Sequence, residues 1–190
     1  MEGGGRKLLR RINPVLKIFI FFFSIFGSKL NLLFFSIIRN MPGYFGRIWR
    51  YIFIANCVKS IGVSVNIATG VYFKNPNGIS LGSNITINEM CYLEGVGKIT
   101  IGNDVAIAHN TTIISSNHTY QNPQLPMSLN PIIGDPIIIE DDVWIGCGVR
   151  ILAGVLIKKR TIVAAGAVLN KSLTGNSILG GVPAKVIKRI

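Results

Sequence analysis

The sequence predicts an all-β fold, a parallel β-solenoid, preceded by an apolar helical appendage. Two observations carry this prediction. Aliphatic residues recur at every sixth position over most of the chain after residue 60, and the most apolar stretch of the chain occupies residues 15–38. We therefore expect a helical membrane-association segment and linker over residues 1–60, followed by a solenoid domain over residues 61–190. The solenoid carries an inserted loop at residues 115–136.

The first predicted element is the apolar stretch. Residues 18–38 would form a helix of about 31 Å, long enough to cross the hydrocarbon of a bilayer. Lys29 and Asn31 lie in the middle of the stretch and basic residues flank both of its ends, which argues against a simple span. Its polar side chains fall on one half of a helical wheel, which favours a helix lying in the membrane interface. A helical hairpin bent near Gly27 stays open, as does packing on the protein's own body or on a partner subunit.

The second predicted element is a helix after Met41-Pro42-Gly43. These three residues end the first helix, because proline restricts the residue before it and glycine relaxes the one that follows. The basic and aromatic run GRIWRYIFIANCVKS comes next, and it predicts a second helix that bears Arg47, Arg50 and Lys59.

The solenoid itself is predicted from the period of six. A period of six fits neither the 3.6 residues of a helical turn nor the alternation of a strand, but it fits three short strands per turn of a triangular coil. Each aliphatic side chain then points inward, and the stability is collective across the stack. Two-residue slips at residues 75–80 and 95–100 fit bulges at a corner. The inward positions are Ile61, Ile67, Phe73, Leu81, Ile87, Leu93, Ile101, Ile107, Ile113, Ile139, Ile145, Ile151, Ile157, Val163 and Leu169.

Charge and cysteine content narrow the functional classes. The net charge is +12, but the basic residues cluster near the two ends and form no stripe interleaved with aromatic side chains. Nucleic-acid binding is therefore not expected. Cys57, Cys91 and Cys147 show no C-x-x-C spacing, so neither a disulfide framework nor a zinc site is indicated. A reducing compartment fits, and Cys91 and Cys147 fall where the repeat requires small apolar residues.

Three runs of residues carry a resemblance to a known family: ITIGNDVAIAHNTTIISSNHTY, IIIEDDVWIGCGVRILAGVLIKKRTIVAAGAVLNKS and GGVPAKVIKRI. Residues 61–190 resemble the hexapeptide-repeat acyltransferases, in the branch of galactoside, maltose and polysaccharide O-acetyltransferases. The resemblance implies a left-handed coil, a homotrimer, acetyl-CoA as the acyl donor and no metal. The N-terminal helix with MPGYFGRIWR also resembles bacterial surface-polysaccharide acetyltransferases. From the apolar and basic residues of this segment we expect residues 1–40 to attach the protein to the cytoplasmic face of a bacterial membrane.

The polar stretch SSNHTY, residues 115–120, opens the inserted loop and contains the candidate catalytic residue, His118. A sugar hydroxyl is too weakly acidic to attack a thioester unaided, and a general base that takes its proton typically contributes about 10² to 10⁴ in rate. The resemblance assigns that role to His118. His109 is the other histidine and is expected at an exposed turn. Two histidines do not make a three-histidine metal site, so metal-dependent hydration is disfavoured.

Three residues are candidates for binding the acceptor: Asn88, Glu94 and Asn117. Asn88 lies thirty residues before His118, the spacing at which the family has an acceptor-binding asparagine. Its amide can donate to and accept from a sugar hydroxyl, although capping of a turn is the alternative. Glu94 stands close to where the family has an aspartate, so either it substitutes or the acceptor differs. Asn117 adjoins the histidine.

The donor site is implied by the resemblance in the C-terminal half. Trp144, Cys147 and Ala165 would line the pantetheine channel, with backbone groups of the latter two bonding its amides. An extended groove for coenzyme A also needs basic side chains near its phosphates. The residues expected there are Asn170, Lys171, Lys185 and Lys188. An ordinary solvated surface is the alternative for the lysines. The inserted loop, rich in proline, could cover a neighbouring subunit's site.

The predicted function is direct transfer of an acetyl group from acetyl-CoA to a hydroxyl of a saccharide or saccharide-lipid. Surface polysaccharide, lipopolysaccharide or capsule biosynthesis is the expected setting. An N-acetyltransferase acting on a nucleotide-linked amino sugar is the nearest alternative, but such relatives usually add a nucleotide-binding domain that residues 1–60 do not resemble. A non-catalytic solenoid scaffold that assembles membrane proteins is the second alternative.

Overall fold

The computed structural model describes residues 12–190. In this part of the chain three helices come first: α1 (Asn13–Ser24), α2 (Gly27–Ile38) and α3 (Gly43–Ala55). A parallel β-solenoid follows them, so the predicted fold class is confirmed. The basic residues Arg6, Lys7, Arg10 and Arg11, which the sequence assigns to membrane association, lie outside the described residues.

The solenoid has three faces, each a parallel sheet of short strands stacked along its axis. The first face consists of β1 (Ser60–Ile61), β4 (Ile79–Leu81), β7 (Ile99–Ile101), β12 (Ile137–Ile139) and β15 (Leu156–Ile157). The second face consists of β2 (Asn66–Ile67), β5 (Thr86–Ile87), β8 (Ala106–Ile107), β13 (Val143–Ile145), β16 (Thr161–Val163), β18 (Ser177–Gly180) and the antiparallel β19 (Lys185–Arg189). The third face consists of β3 (Tyr72–Lys74), β6 (Tyr92–Glu94), β9 (Thr112–Ile114), β14 (Arg150–Ile151) and β17 (Val168–Leu169).

The core is the set of inward positions that the period of six predicts. Ile61 is half-buried, and the other predicted inward residues are all buried. Each pairs with its equivalent one turn later, as Leu81 does with Ile101 and Ile101 with Ile139. Apolar side chains therefore stack along each face, so every turn covers the apolar surface of the turn before it.

The slips and the inserted loop all lie at one corner, where the chain passes from the third face to the first; we call it the third corner. A short 3-10 turn at Pro76–Gly78 marks the first slip, and a turn closed by the Lys98 N–H on the Gly95 carbonyl marks the second. On the next turn a hairpin of β10 (Ser116–His118) and β11 (Ile132–Gly134) leaves the coil. A Cβ at Gly97 would overlap the hairpin's backbone at Ser115 and Asp135, so only glycine lets the hairpin lie against the coil.

The helical appendage is a hairpin and not one long helix. The axes of α1 and α2 differ by 118°, and Gly27, at a φ of +68°, stands at the break. The structure thus has the bend that the sequence left open. Among the described residues no single helix has the length and apolar character to cross a bilayer, whereas α1 and α2 taken together meet both criteria. The helix predicted to carry Lys59 ends at Ala55, so that part of the prediction is wrong; Lys59 follows it and bonds into the first face.

The three helices pack on the first turn of the coil and leave one apolar side uncovered. Leu16 and Phe35 are buried, and the Phe35 ring contacts the ring of Phe73 at a centroid distance of 5.6 Å. The opposite side of the helical hairpin is exposed. Its large apolar residues are Val15, Ile18, Phe19, Phe21, Phe22, Ile25, Phe26, Leu33 and Ile37. We call this set the apolar face of the appendage.

Candidate active site

A pocket of about 200 Å³ lies where the hairpin leaves the third corner. The hairpin starts immediately after the third face, so its first strand runs past the ends of the third-face strands. The structure brings together three of the predicted site residues here: His118, Glu94 and Asn117. The full lining is Lys74, Tyr92, Glu94, Ile114, Ser116, Asn117, His118 and Ile132.

His118 is exposed at the end of β10 and is oriented by a backbone oxygen. Its Nδ1 lies 3.3 Å from the carbonyl oxygen of Asn130. A proton on Nδ1 donates to that carbonyl and leaves the lone pair on Nε2, which is the tautomer that a general base requires. The role of His118 as the general base stays a prediction.

Asn130 is a site residue that sequence reasoning missed. It is 3% exposed, and its side-chain amide ties the loop together: Nδ2 donates to the carbonyls of Asn122, Leu125 and Pro126, and Oδ1 accepts from the Asn122 N–H. These bonds fix the loop from which the Asn130 carbonyl points to His118. The loop has no periodic pattern, so nothing in the sequence distinguishes this asparagine from its neighbours.

Glu94 is buried at the base of the hairpin. Its carboxylate accepts hydrogen bonds from the Ser116 hydroxyl at 2.8 Å and from the Ser115 N–H at 3.2 Å, and it lies 3.8 Å from the ammonium of Lys74. The first two contacts hold the start of β10 against the third face. Glu94 therefore positions the hairpin and also presents a charged group to the pocket.

Asn88 and His109 lie elsewhere. Asn88 follows β5 at the corner between the second and third faces, which we call the second corner, and it does not line the His118 pocket. Glu94 is the last residue of the following strand, β6, and so lies at the opposite end of the third face from Asn88. Within one chain the structure does not bring Asn88 to His118. His109 lies at the same corner one turn on, exposed in a turn, as expected.

The residues predicted to bind acetyl-CoA do not all lie together. Five of them are on the second face or at the second corner, and two are at the third corner. Trp144 is exposed on β13, and Cys147 and Ala165 stack in successive turns at the second corner, where the Gly166 N–H donates to the Cys147 carbonyl at 2.9 Å. Lys185 and Lys188 are exposed on β19, at the end of the second face. Asn170 and Lys171 follow β17 and are exposed at the third corner.

The predicted base and the predicted pantetheine channel lie apart on the coil. His118 stands at the third corner, whereas Trp144, Cys147 and Ala165 stand on the second face and the second corner. One chain by itself therefore does not bring the predicted pantetheine channel and the predicted base together. A second pocket, of about 380 Å³, lies beside Trp144 and includes the ion pair of Asp142 with Arg160.

Comparison with known proteins gives one family match and several relatives. A family model described as bacterial transferase hexapeptide (six repeats) matches residues 136–171. The chain is 28% identical over 141 residues to WbbJ of Escherichia coli strain K12, a protein named as a lipopolysaccharide biosynthesis O-acetyl transferase. The match covers 68% of this chain and 72% of that protein. The chain spans little more than half the length of some other curated relatives that it matches.

Two solved structures share the fold over most of their length. A maltose O-acetyltransferase from Clostridium difficile 630 is 27% identical, with 88% of each chain covered and a TM-score of 0.78. A hexapeptide-repeat-containing acetyltransferase from Vibrio cholerae O1 biovar eltor, crystallised with acetyl coenzyme A, is 26% identical. That match covers 85% of this chain and 86% of the other, with a TM-score of 0.76.

Proposed function

Because the chain belongs to the hexapeptide-repeat acyltransferases, in their sugar O-acetyltransferase branch, we propose that it transfers an acetyl group from acetyl-CoA to a hydroxyl of a saccharide. Its fold is the left-handed parallel β-helix of that family, with helices added at the N-terminus. The single observation that carries the proposal is His118, held by the Asn130 carbonyl in a pocket that Glu94 and Asn117 also line.

The proposed reaction is a direct transfer. The acceptor hydroxyl loses its proton to Nε2 of His118 as its oxygen attacks the thioester carbonyl. The new C–O bond forms, the C–S bond breaks, and the proton passes from the imidazolium to the departing thiolate. The products are an O-acetyl saccharide and coenzyme A, and His118 returns to its neutral form. The Asn130 carbonyl keeps the imidazole in the required tautomer and stabilises the imidazolium while it exists.

The first experiment identifies the reaction. Purified protein is incubated with acetyl-CoA and a panel of pyranosides and nucleotide-linked amino sugars, and free thiol is measured over time. The proposal predicts thiol release with a pyranoside and an alkali-labile ester as the product. An alkali-stable amide would establish the N-acetyltransferase alternative instead. If calorimetry detects no binding of acetyl-CoA, the result supports the alternative of a non-catalytic scaffold.

We propose that the active form of the protein is a homotrimer. Support comes from the separation of His118 from Trp144 and Cys147, which a neighbouring copy would overcome by placing its second corner against the third corner of this one. Further support comes from the hairpin and its loop, where Leu125, Met127, Leu129, Ile132 and Ile133 are exposed. Apolar residues grouped on a projecting loop are typical of a contact surface.

Mixed assemblies test the shared site. His118→Ala and Trp144→Ala chains are each expected to be nearly inactive alone. Co-refolded, they form mixed trimers in which one interface combines an intact His118 with an intact Trp144, so a substantial part of the activity returns. Sedimentation at three times the 20.7 kDa of one chain is the accompanying expectation. No recovery of activity in verified mixed trimers would argue against sites built between copies.

The apolar face of the appendage supports a place at the cytoplasmic face of a bacterial membrane, and hence a role in surface polysaccharide biosynthesis. Phe21 and Ile25 are each about three-quarters exposed, and Lys17 lies in α1 and Lys29 in α2. A bent pair of apolar helices with basic residues suits an interfacial position.

Flotation with vesicles of phosphatidylglycerol and phosphatidylcholine tests whether this apolar face binds a membrane. A Phe21→Glu, Ile25→Glu double variant should lose binding and keep activity on soluble acceptors, whereas Val63→Glu in the solenoid should still float. Unchanged flotation of the double variant would exclude this face as the anchor.

A further inference from the structure

A short aromatic ladder runs along the outer side of the third face. Tyr72 and Tyr92 occupy the same position in successive turns and pair in the register of β3 with β6. Their rings are parallel within 1°, with centroids 5.4 Å apart. Two side-by-side rings in one plane would overlap at that distance, so the rings face each other with an offset. The guanidinium of Arg39 lies over the Tyr72 ring, 5.4 Å from its centroid, and begins the ladder.

The ladder stops where the His118 pocket begins. The next residue in register after Tyr92 is Thr112, which is too small to continue it. Tyr92 lines the pocket together with Glu94 and His118. The side of the Tyr92 ring away from Tyr72 therefore has no third ring in register beside it, and Tyr92 itself is part of the candidate active site.

We propose that the ring of Tyr92 is a stacking platform for a pyranose ring of the acceptor, which occupies the slot left open by Thr112. The inference rests on the proposed function and adds to it how the acceptor is held. A pyranose has faces made of C–H groups and a rim of hydroxyls. The C–H face suits the apolar tyrosine ring, and the hydroxyl rim suits the polar groups of Glu94, Lys74 and His118.

The size of the pocket favours one ring. Its volume of about 200 Å³ is below the range of about 300 to 1,000 Å³ that drug-sized ligands occupy. Stacking on Tyr92 limits how that ring tilts, so it also limits which of its hydroxyls reaches His118. Arg39 and Tyr72 do not line the pocket; they support Tyr92 from its other side.

Kinetics with a soluble pyranoside acceptor test the platform. Tyr92→Phe keeps the ring and should retain acceptor kcat/KM close to wild type. Tyr92→Ala should lower it by about tenfold, with the acetyl-CoA Kd unchanged. Thr112→Phe extends the ladder into the slot and should abolish acceptor use while acetyl-CoA still binds. Tyr44→Ala, an exposed tyrosine of α3, is the matched control and should behave as wild type.

An acyclic alditol provides the second comparison. Wild type should prefer a pyranoside to an alditol with as many hydroxyls, and Tyr92→Ala should lose most of that preference. If wild type acetylates no saccharide, the proposed function fails. If wild type acetylates pyranosides but Tyr92→Ala or Thr112→Phe matches its kinetics, only the stacking platform fails. Equal losses in Tyr92→Phe and Tyr92→Ala would also overturn it, because they would assign the effect to the hydroxyl.

Discussion

At the scale of single residues, His118 obtains its orientation from a main-chain carbonyl. The carbonyl belongs to Asn130, whose buried amide holds the loop in shape. A side-chain substitution there leaves the carbonyl in the chain but removes the bonds that aim it. The loop and the base are therefore coupled through one asparagine.

Asn130→Ala should lower kcat by about 10- to 100-fold, because the base is no longer held where it meets the acceptor. The acetyl-CoA Kd and the acceptor KM should stay close to wild type, because the binding groups remain in place. Initial rates over a range of acceptor concentrations separate kcat from KM, and calorimetry measures the Kd. Gln124→Ala, in the same exposed loop, is the control. A kcat equal to that of wild type would show that Asn130 does not act through His118.

The three thiols also differ at this scale. Burial raises the pKa of Cys57 and of Cys91 to about 11, so their thiolates appear only as the pH rises towards that value. Cys147 is only half-buried, at the second corner. At pH 8 a maleimide should modify Cys147 first, and acetyl-CoA should slow the modification if Cys147 lines the pantetheine channel. Peptide mass spectrometry identifies the modified cysteine, and Cys147→Ser is the control. Labelling of Cys147 at the same rate with saturating acetyl-CoA would contradict the donor assignment.

At the scale of elements, one buried arginine joins the helices to the coil. Arg50 of α3 donates from Nε to the Ile67 carbonyl at 2.9 Å, and from a terminal nitrogen to the carbonyls of Met41 and Arg39 at 2.7 and 3.3 Å. Desolvation lowers its pKa to about 10, so the side chain is still charged at neutral pH. The Arg50 side chain therefore bonds both to the segment that links α2 to α3 and to the first turn of the solenoid.

Arg50→Leu should destabilise the appendage by about 3 kcal/mol, because it leaves one buried and two partly buried carbonyls without this donor. Urea unfolding followed by tryptophan fluorescence measures the loss, since Trp49 lies in α3. Arg47→Leu is the matched control. Its side chain makes a single long hydrogen bond to Asn66, at 3.5 Å, and should cost about 1 kcal/mol or less. Equal midpoints for the two variants would contradict the role given to Arg50.

The elements also show what the sequence could and could not predict. The period of six identifies the inward residues because each face repeats one local geometry, from Ile67 to Leu169. The ladder of Tyr72 and Tyr92 could have been predicted from the sequence. The two tyrosines are twenty residues apart, which is the length of one turn of the coil plus the two-residue slip. The Asn130 contact had none, because a loop without a repeat takes its shape from tertiary hydrogen bonds.

At the scale of the whole molecule, His118 and the predicted pantetheine-channel residues Cys147 and Ala165 occupy different corners, and the appendage lies at the end of the coil nearest the His118 pocket. The helices contact the first turn, through Phe35 and Phe73, and His118 leaves from the third. Neighbouring turns are about 4.8 Å apart, so about 10 Å separates these levels along the axis. With the appendage at a membrane, as we propose, a saccharide carried on a lipid is within reach of the pocket.

The most direct measurement of the central claim compares wild type with His118→Ala at saturating acetyl-CoA and a pyranoside acceptor. We expect kcat to fall by about 10² to 10⁴ while the acetyl-CoA Kd and the oligomeric mass stay as in wild type, because only the proton acceptor is removed. A His118→Ala enzyme that binds acetyl-CoA and turns over at the wild-type rate would show that His118 is not the base.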